Sequence, residues 1–428
     1  MRFSFLPVVL LSYFCRVKIL VMADYSTYML PNGLQMIYQF VPSKVSYAGF
    51  TVHAGSRDEG EGEDGLAHFV EHLLFKGTGR RKSWHILNRM ETVGGELNAY
   101  TTKEETVLYS VFLSEHLARA VELMSDLILH SRFPESEVEK EVEVILDEIN
   151  SYRDTPSELI YDEFENYLFG HHPLGHNILG DRDTLLSFGP SHGLSFLSRY
   201  YRPSNMVFFY RGELPLSRVV ATLARHMGEA GAGAPLSRRA LPGRYEPFVR
   251  RVPLDTHQAH VLVGNRAYDM YDPRRTALFL LNNLLGGPGM NSRLNIALRE
   301  KTGCVYTVES SVTTYTDTGV FAVYFGTDPS KVDRCLSLLS RELQRLREHP
   351  LTGLQLAMAK RQFMGQIAVG TENSENMALG MGKAFLYYGK YDSLEETFAR
   401  IEAVSAEELR EVANEIFDES ALSTLIYE

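Results

Sequence analysis

Cysteine is scarce in this sequence: Cys15, Cys304 and Cys335 are the only three, and none of them belongs to a Cys-x-x-Cys pair. A sparse, odd set of this kind excludes a disulfide framework and a thiolate metal site. Because free thiols persist best in reducing conditions, we expect a cytoplasmic protein.

Positive charge is also in deficit, with 43 Lys and Arg against 54 Asp and Glu, and a formal net charge of −11. Nucleic acid binding requires a basic surface, so this balance argues against a nucleic acid partner. The apolar runs are too short for stable insertion in a membrane. At 428 residues the chain exceeds a typical single core, which predicts two domains.

The amino terminus has two interpretations. Residues 1–21 read MRFSFLPVVLLSYFCRVKILV. Arg2 and the apolar run that follows are typical of a signal peptide, which would make the protein periplasmic or secreted. Alternatively, Met1 is a mis-assigned start, and the true chain begins at Met22.

The remaining chain divides into two similar halves. Residues 228–244 are rich in Gly, Ala, Pro and Arg and form the best candidate linker, between domains at 22–227 and 245–428. The segment HFVEHLLFKGTG at 68–79 aligns without gaps with FLLNNLLGGPGM at 279–290. Strand and helix patterns alternate in both halves, which predicts an α+β fold: two homologous halves, each an antiparallel sheet covered on one side by helices, forming a clamshell.

The strongest chemical signal is His68-Phe69-Val70-Glu71-His72. On a helix the two histidines lie four residues apart on one face, where both imidazoles reach one ion, and Glu71 projects nearby. This His-x-x-Glu-His order is typical of a zinc hydrolase in which the glutamate takes a proton from water. Alternatively, the histidines fall at this spacing by chance. The aligned residues of the second half are Phe279, Asn282 and Asn283, so only the first half can build this site.

A metal held by two histidines needs a third protein ligand. The helix predicted after Pro134 offers Glu141 and Glu148, which lie seven residues apart on the margin of its apolar stripe. A carboxylate near a core favours a cation as its partner. The alternative is that both acids belong to a solvated helix face.

Four segments resemble the pitrilysin and insulinase-like zinc peptidases, of the small two-domain bacterial type and similar to the catalytic subunit of the mitochondrial processing peptidase. The segments are GLAHFVEHLLFKGT from Gly65, GGELNAYTTKEETVLY from Gly94, EVEVILDEI from Glu141 and SRLNIALREKTGCVYTV from Ser292. They occur in the family's order and span most of residues 25–428.

The resemblance implies that His68, His72 and Glu148 bind Zn²⁺ and that Glu71 is the general base. It also implies that Glu141 does not bind the ion itself but supports the residues that do.

Further residues are implied for the substrate. Asn98 and Ala99 would lie on an edge strand that pairs with an extended peptide. Arg299 and Tyr306, from the second half, would reach the substrate near the metal, where a tyrosine hydroxyl would stabilise a developing oxyanion. The alternative for this pair is a surface arginine and a packing tyrosine.

These observations together predict a zinc-dependent endopeptidase that hydrolyses extended or unfolded peptides. Because the chain carries both the zinc motif and the Arg/Tyr pair, we expect it to be competent alone or as a homodimer. Two alternatives remain: a catalytically silent structural or binding protein of the same fold, and a metal-dependent hydrolase of a non-peptide substrate.

Overall fold

The computed structural model describes residues 25–233, 238–254 and 256–428. Residues 1–21, with their two interpretations, lie outside this part of the chain. The described residues form two β-sheets, both covered by helices, as the α+β class predicts. Within them, no helix has the length and apolar character needed to cross a bilayer.

Strands and helices alternate in both halves of the described chain. The first half contains strands β1 (Ser26–Met29), β2 (Gln35–Phe40), β3 (Val45–Val52), β4 (Glu96–Thr101), β5 (Thr106–Leu113) and β6 (Met206–Gly212). Its helices are α1 (Leu66–Leu74), α2 (Ser83–Glu91), α3 (Leu117–His130), α4 (Glu135–Arg153), α5 (Pro156–Phe169), α6 (Arg182–Ser187), α7 (Pro190–Tyr200) and α8 (Leu216–Met227). The second half contains strands β7 (Val249–Val252), β8 (Ala259–Ala267), β9 (Val305–Thr314), β10 (Gly319–Thr327) and β11 (Ser423–Tyr427). Its helices are α9 (Arg275–Gly286), α10 (Val332–Glu348), α11 (Gly353–Gly370), α12 (Ser374–Tyr388), α13 (Leu394–Ala403) and α14 (Ala406–Ile416).

The two sheets share one topology. The strand order is β1-β2-β6-β3-β5-β4 in the first and β7-β11-β8-β10-β9 in the second. Apart from the additional β1, every strand of one sheet has a counterpart in the other. The pairs are antiparallel except for β2–β6 and β7–β11, which are parallel. The two strands of each parallel pair lie far apart in sequence, with three other strands of the same sheet and several helices between them. Residue alternation along a strand does not reveal its direction.

Helices cover both faces of each sheet, whereas the sequence led us to expect one covered face. The inner face of the first sheet packs against its own helices, including α1, α3 and α8, and its other face packs against α12 of the second half. The arrangement is reciprocal, because α5 of the first half covers the second sheet. Consecutive residues of β10 are all buried for this reason. Each half therefore completes the core of the other.

Close approach of α12 to the first sheet depends on Gly382. A Cβ atom at this position would lie 2.6 Å from the Phe209 ring and 2.8 Å from the Thr51 hydroxyl. These distances are shorter than any ordinary contact, so a larger residue would push the helix off the sheet.

Ion pairs also join the halves near the turn between β4 and β5. The buried Arg57 guanidinium binds Glu104 in this turn and Asp317 of the second half. Arg239, in the segment predicted to be a linker, binds Asp58 through two hydrogen bonds of 2.9 and 2.7 Å. The chain between the halves is thus anchored to the first half at this point.

Candidate metal centre

Helix α1 is embedded in the first half and presents the histidine motif. Seven of its nine residues are buried, among them His68. Its first turn is held by the Glu59 carboxylate, which accepts hydrogen bonds from the backbone N–H groups of Gly65 (3.0 Å) and Ala67 (2.8 Å). These two hydrogen bonds satisfy N–H groups that have no partner within the helix, although burial raises the pKa of Glu59 well above its usual value. The helix start is therefore fixed before the motif begins.

Gly65 itself is required by its surroundings. Its φ of +91° lies in the left-handed region, and an added Cβ would meet the Leu179 carbonyl oxygen at 2.7 Å and the Gly180 Cα at 2.8 Å. The backbone of the 179–180 segment therefore packs directly against the start of α1, where only glycine fits.

The structure brings His68, His72 and Glu148 together. One ligand atom from each lies within 4.8 Å of the others, and no second group of His, Cys, Asp or Glu in the described residues has this geometry. The Glu148 Oε2 atom lies 3.8 Å from His68 Nε2 and 3.6 Å from His72 Nε2. Helix α4 packs against α1 and so places Glu148 opposite the motif.

Glu141 lies about two helical turns before Glu148 on α4 and orients His72. Its buried carboxylate is 3.1 Å from His72 Nδ1 and 2.6 Å from Lys76 Nζ. Burial alone would raise the pKa of Glu141, but its hydrogen bonds to His72 and Lys76 outweigh burial and hold the pKa below its usual value. An ionised Glu141 fixes the Nδ1 proton of His72, so that the Nε2 lone pair faces Glu148.

The donor set fits a zinc ion. Zinc bonds of 2.0–2.1 Å in a tetrahedron separate ligand atoms by about 3.4 Å, close to the distances between Glu148 and the two histidines. Burial, together with the neighbouring His72, lowers the pKa of His68 to about 3, so its imidazole is neutral as a ligand must be. Two imidazoles and one carboxylate leave a fourth tetrahedral position for a water or substrate oxygen.

Glu71 lies beside this group without belonging to it. Its Oε2 atom accepts a hydrogen bond of 2.7 Å from the Thr101 hydroxyl. Burial raises the pKa of Glu71, and the negative charge of Glu148 acts in the same direction, whereas the Thr101 hydrogen bond lowers it. A carboxylate with a raised pKa is suited to take up and return a proton near neutral pH.

Asn98 and Ala99 lie on β4, which is an edge strand of the first sheet and pairs only with β5 among the described strands. The Ala99 side chain packs against the core of the first half. Because no described strand pairs with its outer side, β4 has the free edge that β-strand addition requires.

Arg299 and Tyr306 are not brought to the metal group by any hydrogen bond or ion pair in the described residues. Arg299 is exposed in a π-helical turn (Asn295–Glu300), and Tyr306, near the start of β9, has 58% of its surface exposed. Their roles toward a substrate stay predictions.

Sequence reasoning missed three residues that support the candidate site: Glu59, Lys76 and Thr101. Lys76 lies four residues after His72, a spacing that could have indicated a shared partner. Thr101 ends a recognisable strand, but its contact with Glu71 depends on how that strand packs beside α1. Glu59 precedes the motif by nine residues in an irregular segment, where no periodicity indicates its direction.

Comparison with known proteins identifies the family. The model "Insulinase (Peptidase family M16)" matches residues 36–182, and the model "Peptidase M16 inactive domain" matches residues 194–363. An uncharacterized zinc protease of Streptomyces coelicolor is 35% identical over 399 residues, which cover 90% of this chain and 86% of that protein. This chain belongs to the M16 peptidase family.

Other M16 relatives agree over nearly the whole length. The uncharacterized zinc protease YmxG of Bacillus subtilis is 30% identical over 400 residues, with 93% of this chain and 97% of that protein covered. The crystal structure of a protease from Helicobacter pylori superimposes with a TM-score of 0.87 over 95% of this chain and 100% of that one, at 23% identity. An M16 inactive-domain structure from Pseudomonas fluorescens gives 0.88 at 20% identity and covers 94% and 97%. At these identities the two structures establish the M16 fold.

The family models also bear on the two halves. The model described as inactive begins at residue 194, before β6 of the first sheet, and so does not start at the predicted linker. It covers α9, where Phe279, Asn282 and Asn283 replace the metal-binding motif.

Proposed function

We propose that this M16 chain is a zinc-dependent endopeptidase that hydrolyses peptide bonds in extended or unfolded peptides, with Glu71 as the general base. One observation carries the proposal: His68, His72 and Glu148 converge to within 4.8 Å, while Glu71, outside that set, is held by Thr101 at the end of the edge strand β4. A base beside a metal group and next to a peptide-binding edge is the arrangement that peptide hydrolysis needs.

Each residue has a defined task. His68, His72 and Glu148 would hold the ion, which when bound supplies a Lewis acid that polarises a carbonyl and lowers the pKa of water. Glu141 keeps His72 in the ligating tautomer. Glu71 takes the proton of the attacking water and returns it to the leaving amine. Tyr306 would donate a hydrogen bond to the carbonyl oxygen, and Arg299 would bind the substrate beside it.

The edge of β4 supports a peptide substrate over other hydrolase substrates. Main-chain hydrogen bonds along Asn98 and Ala99 would hold an extended backbone with little demand on its side chains. A folded protein offers few free backbone groups, so unfolded chains are the better substrates.

The test is cleavage of an unstructured peptide by wild type and by Glu71→Gln, with the zinc content of both measured. We expect about one zinc per chain in each protein and cleavage only by the wild type. A silent binding protein would show zinc without cleavage in either, and cleavage retained by the variant would remove Glu71 from its role. A non-peptide hydrolase would hydrolyse small esters in a Glu71-dependent manner but leave peptides intact.

The proposed enzyme is a homodimer in a reducing compartment. Helix α5 packs into the core of the second half and α12 into that of the first, so separating the halves would expose buried apolar surface. We therefore expect a second copy of the chain to enclose the substrate. Sedimentation of the purified chain tests for this homodimer. The buried, unpaired Cys304 and Cys335 favour a reducing compartment such as the cytoplasm, which cell fractionation tests.

A further inference from the structure

A cavity of about 920 Å³ opens where α11, α12 and α13 meet the far edge of the first sheet. Both halves line it: Gln39 and Arg211 belong to the first sheet, and Phe279 and Phe363 to helices of the second half. The zinc ligands and Glu71 do not line it. Its volume lies within the range of small-molecule pockets, roughly 300–1,000 Å³.

One wall of the cavity is apolar and lies at the position in the second half that corresponds to the candidate metal site of the first half. Phe279 on α9 aligns with His68 on α1, and it stands here beside Phe363 and Ile367 of α11. Because α9 and α11 pack together as α1 and α4 do, the cavity lies where a second metal site would stand. The second half therefore presents aromatic and aliphatic groups in that place.

Two arginines in the lining form no ion pair with a described carboxylate. Arg211 on β6 is half-buried, donates a hydrogen bond to the Gln39 amide oxygen and forms no ion pair with a described carboxylate. Burial lowers the pKa of its guanidinium, and the nearby Tyr391 and Tyr47 offset only part of this. Arg275 donates to the Tyr388 hydroxyl, and its guanidinium lies 4.9 Å from the centre of that ring, also without a described acidic partner.

Of the three acidic residues in the lining, one is ion-paired with lining cations and two are exposed. Asp392 is bound by Lys390 at 2.9 Å and by Arg400 at 2.8 Å. Glu396 accepts a hydrogen bond of 2.8 Å from the backbone N–H of Ser393 and is exposed, as is Glu395. The lining has four cations and three acids, a net charge of +1, and Arg211 and Arg275 are the two cations without an ion-pair partner among the described residues. A half-buried cation without a counter-ion favours an anionic ligand.

We infer that this cavity binds a monocarboxylate with an apolar body, its carboxylate on Arg211 and Arg275 and its apolar part against Phe279, Phe363 and Ile367. Two sources supply this chemistry: a fatty acid, and the carboxyl terminus of an apolar peptide. The site requires neither the metal ion nor Glu71, so it stands apart from the peptidase proposal.

Isothermal titration calorimetry of the full chain tests the site. The Glu71→Gln background prevents loss of the peptide ligand. One arm compares octanoate with octanol, and the other compares acetyl-Ala-Phe-Leu with its carboxyl-terminal amide. Each is repeated with Arg211→Gln, Arg275→Gln and the matched control Arg334→Gln, an exposed arginine on α10 that does not line the cavity.

We expect a carboxylate to bind at least about tenfold more tightly than its neutral counterpart, an advantage that each cavity variant reduces by about tenfold and the control leaves intact. Preference for octanoate assigns a fatty acid, and preference for the peptide assigns a carboxyl terminus. The inference is overturned if neither carboxylate outbinds its neutral counterpart, or if the advantage survives in both cavity variants. If one cavity variant fails to fold, the comparison of carboxylate with neutral ligand in the wild-type cavity and in the other variant still tests the inference.

Discussion

The Thr101 hydroxyl donates a hydrogen bond of 2.7 Å to the Glu71 carboxylate, and Thr101 is the last residue of the edge strand β4. The proposed base and the proposed peptide-binding strand are therefore joined by a single short contact. A peptide paired with β4 would be held in a fixed relation to the base, which is what orientation in catalysis requires.

Removing that hydroxyl tests the contact. In Thr101→Val the side chain keeps its shape but cannot hold Glu71, so we expect kcat for peptide cleavage to fall about tenfold while zinc content stays the same. Thr101→Ser retains the hydroxyl and should keep most of the activity. Equal kcat values for the Val and Ser variants would show that the hydrogen bond does not matter for the base.

The Glu141–His72 contact predicts an effect on metal affinity. In Glu141→Gln the Nδ1 proton of His72 loses a charged acceptor, and we expect zinc affinity to fall by about tenfold to a hundredfold. Competition with a chromogenic zinc chelator measures this. Glu143→Gln, an exposed acid on the same helix, is the control and should bind zinc like the wild type. Indistinguishable affinities for the two variants would contradict the role of Glu141.

Gly65 predicts a stability effect at the start of the metal-binding helix. Gly65→Ala places a Cβ within 2.7 Å of a backbone oxygen at a φ of +91°, and we expect a fall in Tm of several degrees with loss of zinc. Gly62→Ala is the matched control, because Gly62 also has a positive φ (+75°) but no atom within 4 Å of the added Cβ. A similar fall in Tm for both would mean that backbone conformation, and not crowding, is responsible.

Glu165 predicts a pH dependence of stability. Burial raises its pKa to about 7 although Lys103 opposes the shift, and the Tyr315 hydroxyl donates to it at 2.9 Å. A carboxyl whose pKa is raised by folding stabilises the protein fully below its unfolded pKa, and this contribution is lost as pH rises through about 7. We expect Glu165 to cost up to about 3 kcal/mol at pH 8 relative to pH 4.

The measurement is Tm between pH 4 and pH 8. Glu165→Gln should show a smaller decline of Tm toward pH 8 than the wild type, whereas Glu139→Gln, an exposed acid on α4, should follow the wild type. A decline in Glu165→Gln as steep as that of the wild type would rule out Glu165 as the titrating group.

Local pattern predicted the two helices that carry the candidate metal ligands. The helix that carries the histidine motif and the helix predicted after Pro134 are both present as α1 and α4, because both bury a continuous apolar stripe. The shared topology of the two sheets agrees with the alignment of residues 68–79 and 279–290. Strand direction and the exchange of α5 and α12 between halves were not predictable, since both depend on contacts between segments far apart in sequence.

The candidate site shows the same limit. His68, His72 and Glu71 share one helix, so their spacing alone predicts that they lie close together. The choice of Glu148 as the third ligand depended on the resemblance to a known family, because Glu141 lies at an equivalent position on the margin of the same apolar stripe. The contacts of Glu59 and Thr101 connect different elements and become visible only in the packed structure.

The most direct test of the central claim is anomalous diffraction at the zinc edge from crystals of the purified chain. We predict one peak at about 2.0–2.2 Å from His68 Nε2, His72 Nε2 and a Glu148 carboxylate oxygen, with Glu71 outside bonding distance. Crystals with no zinc peak, or with the peak bonded to Glu71 or away from these three residues, would contradict it.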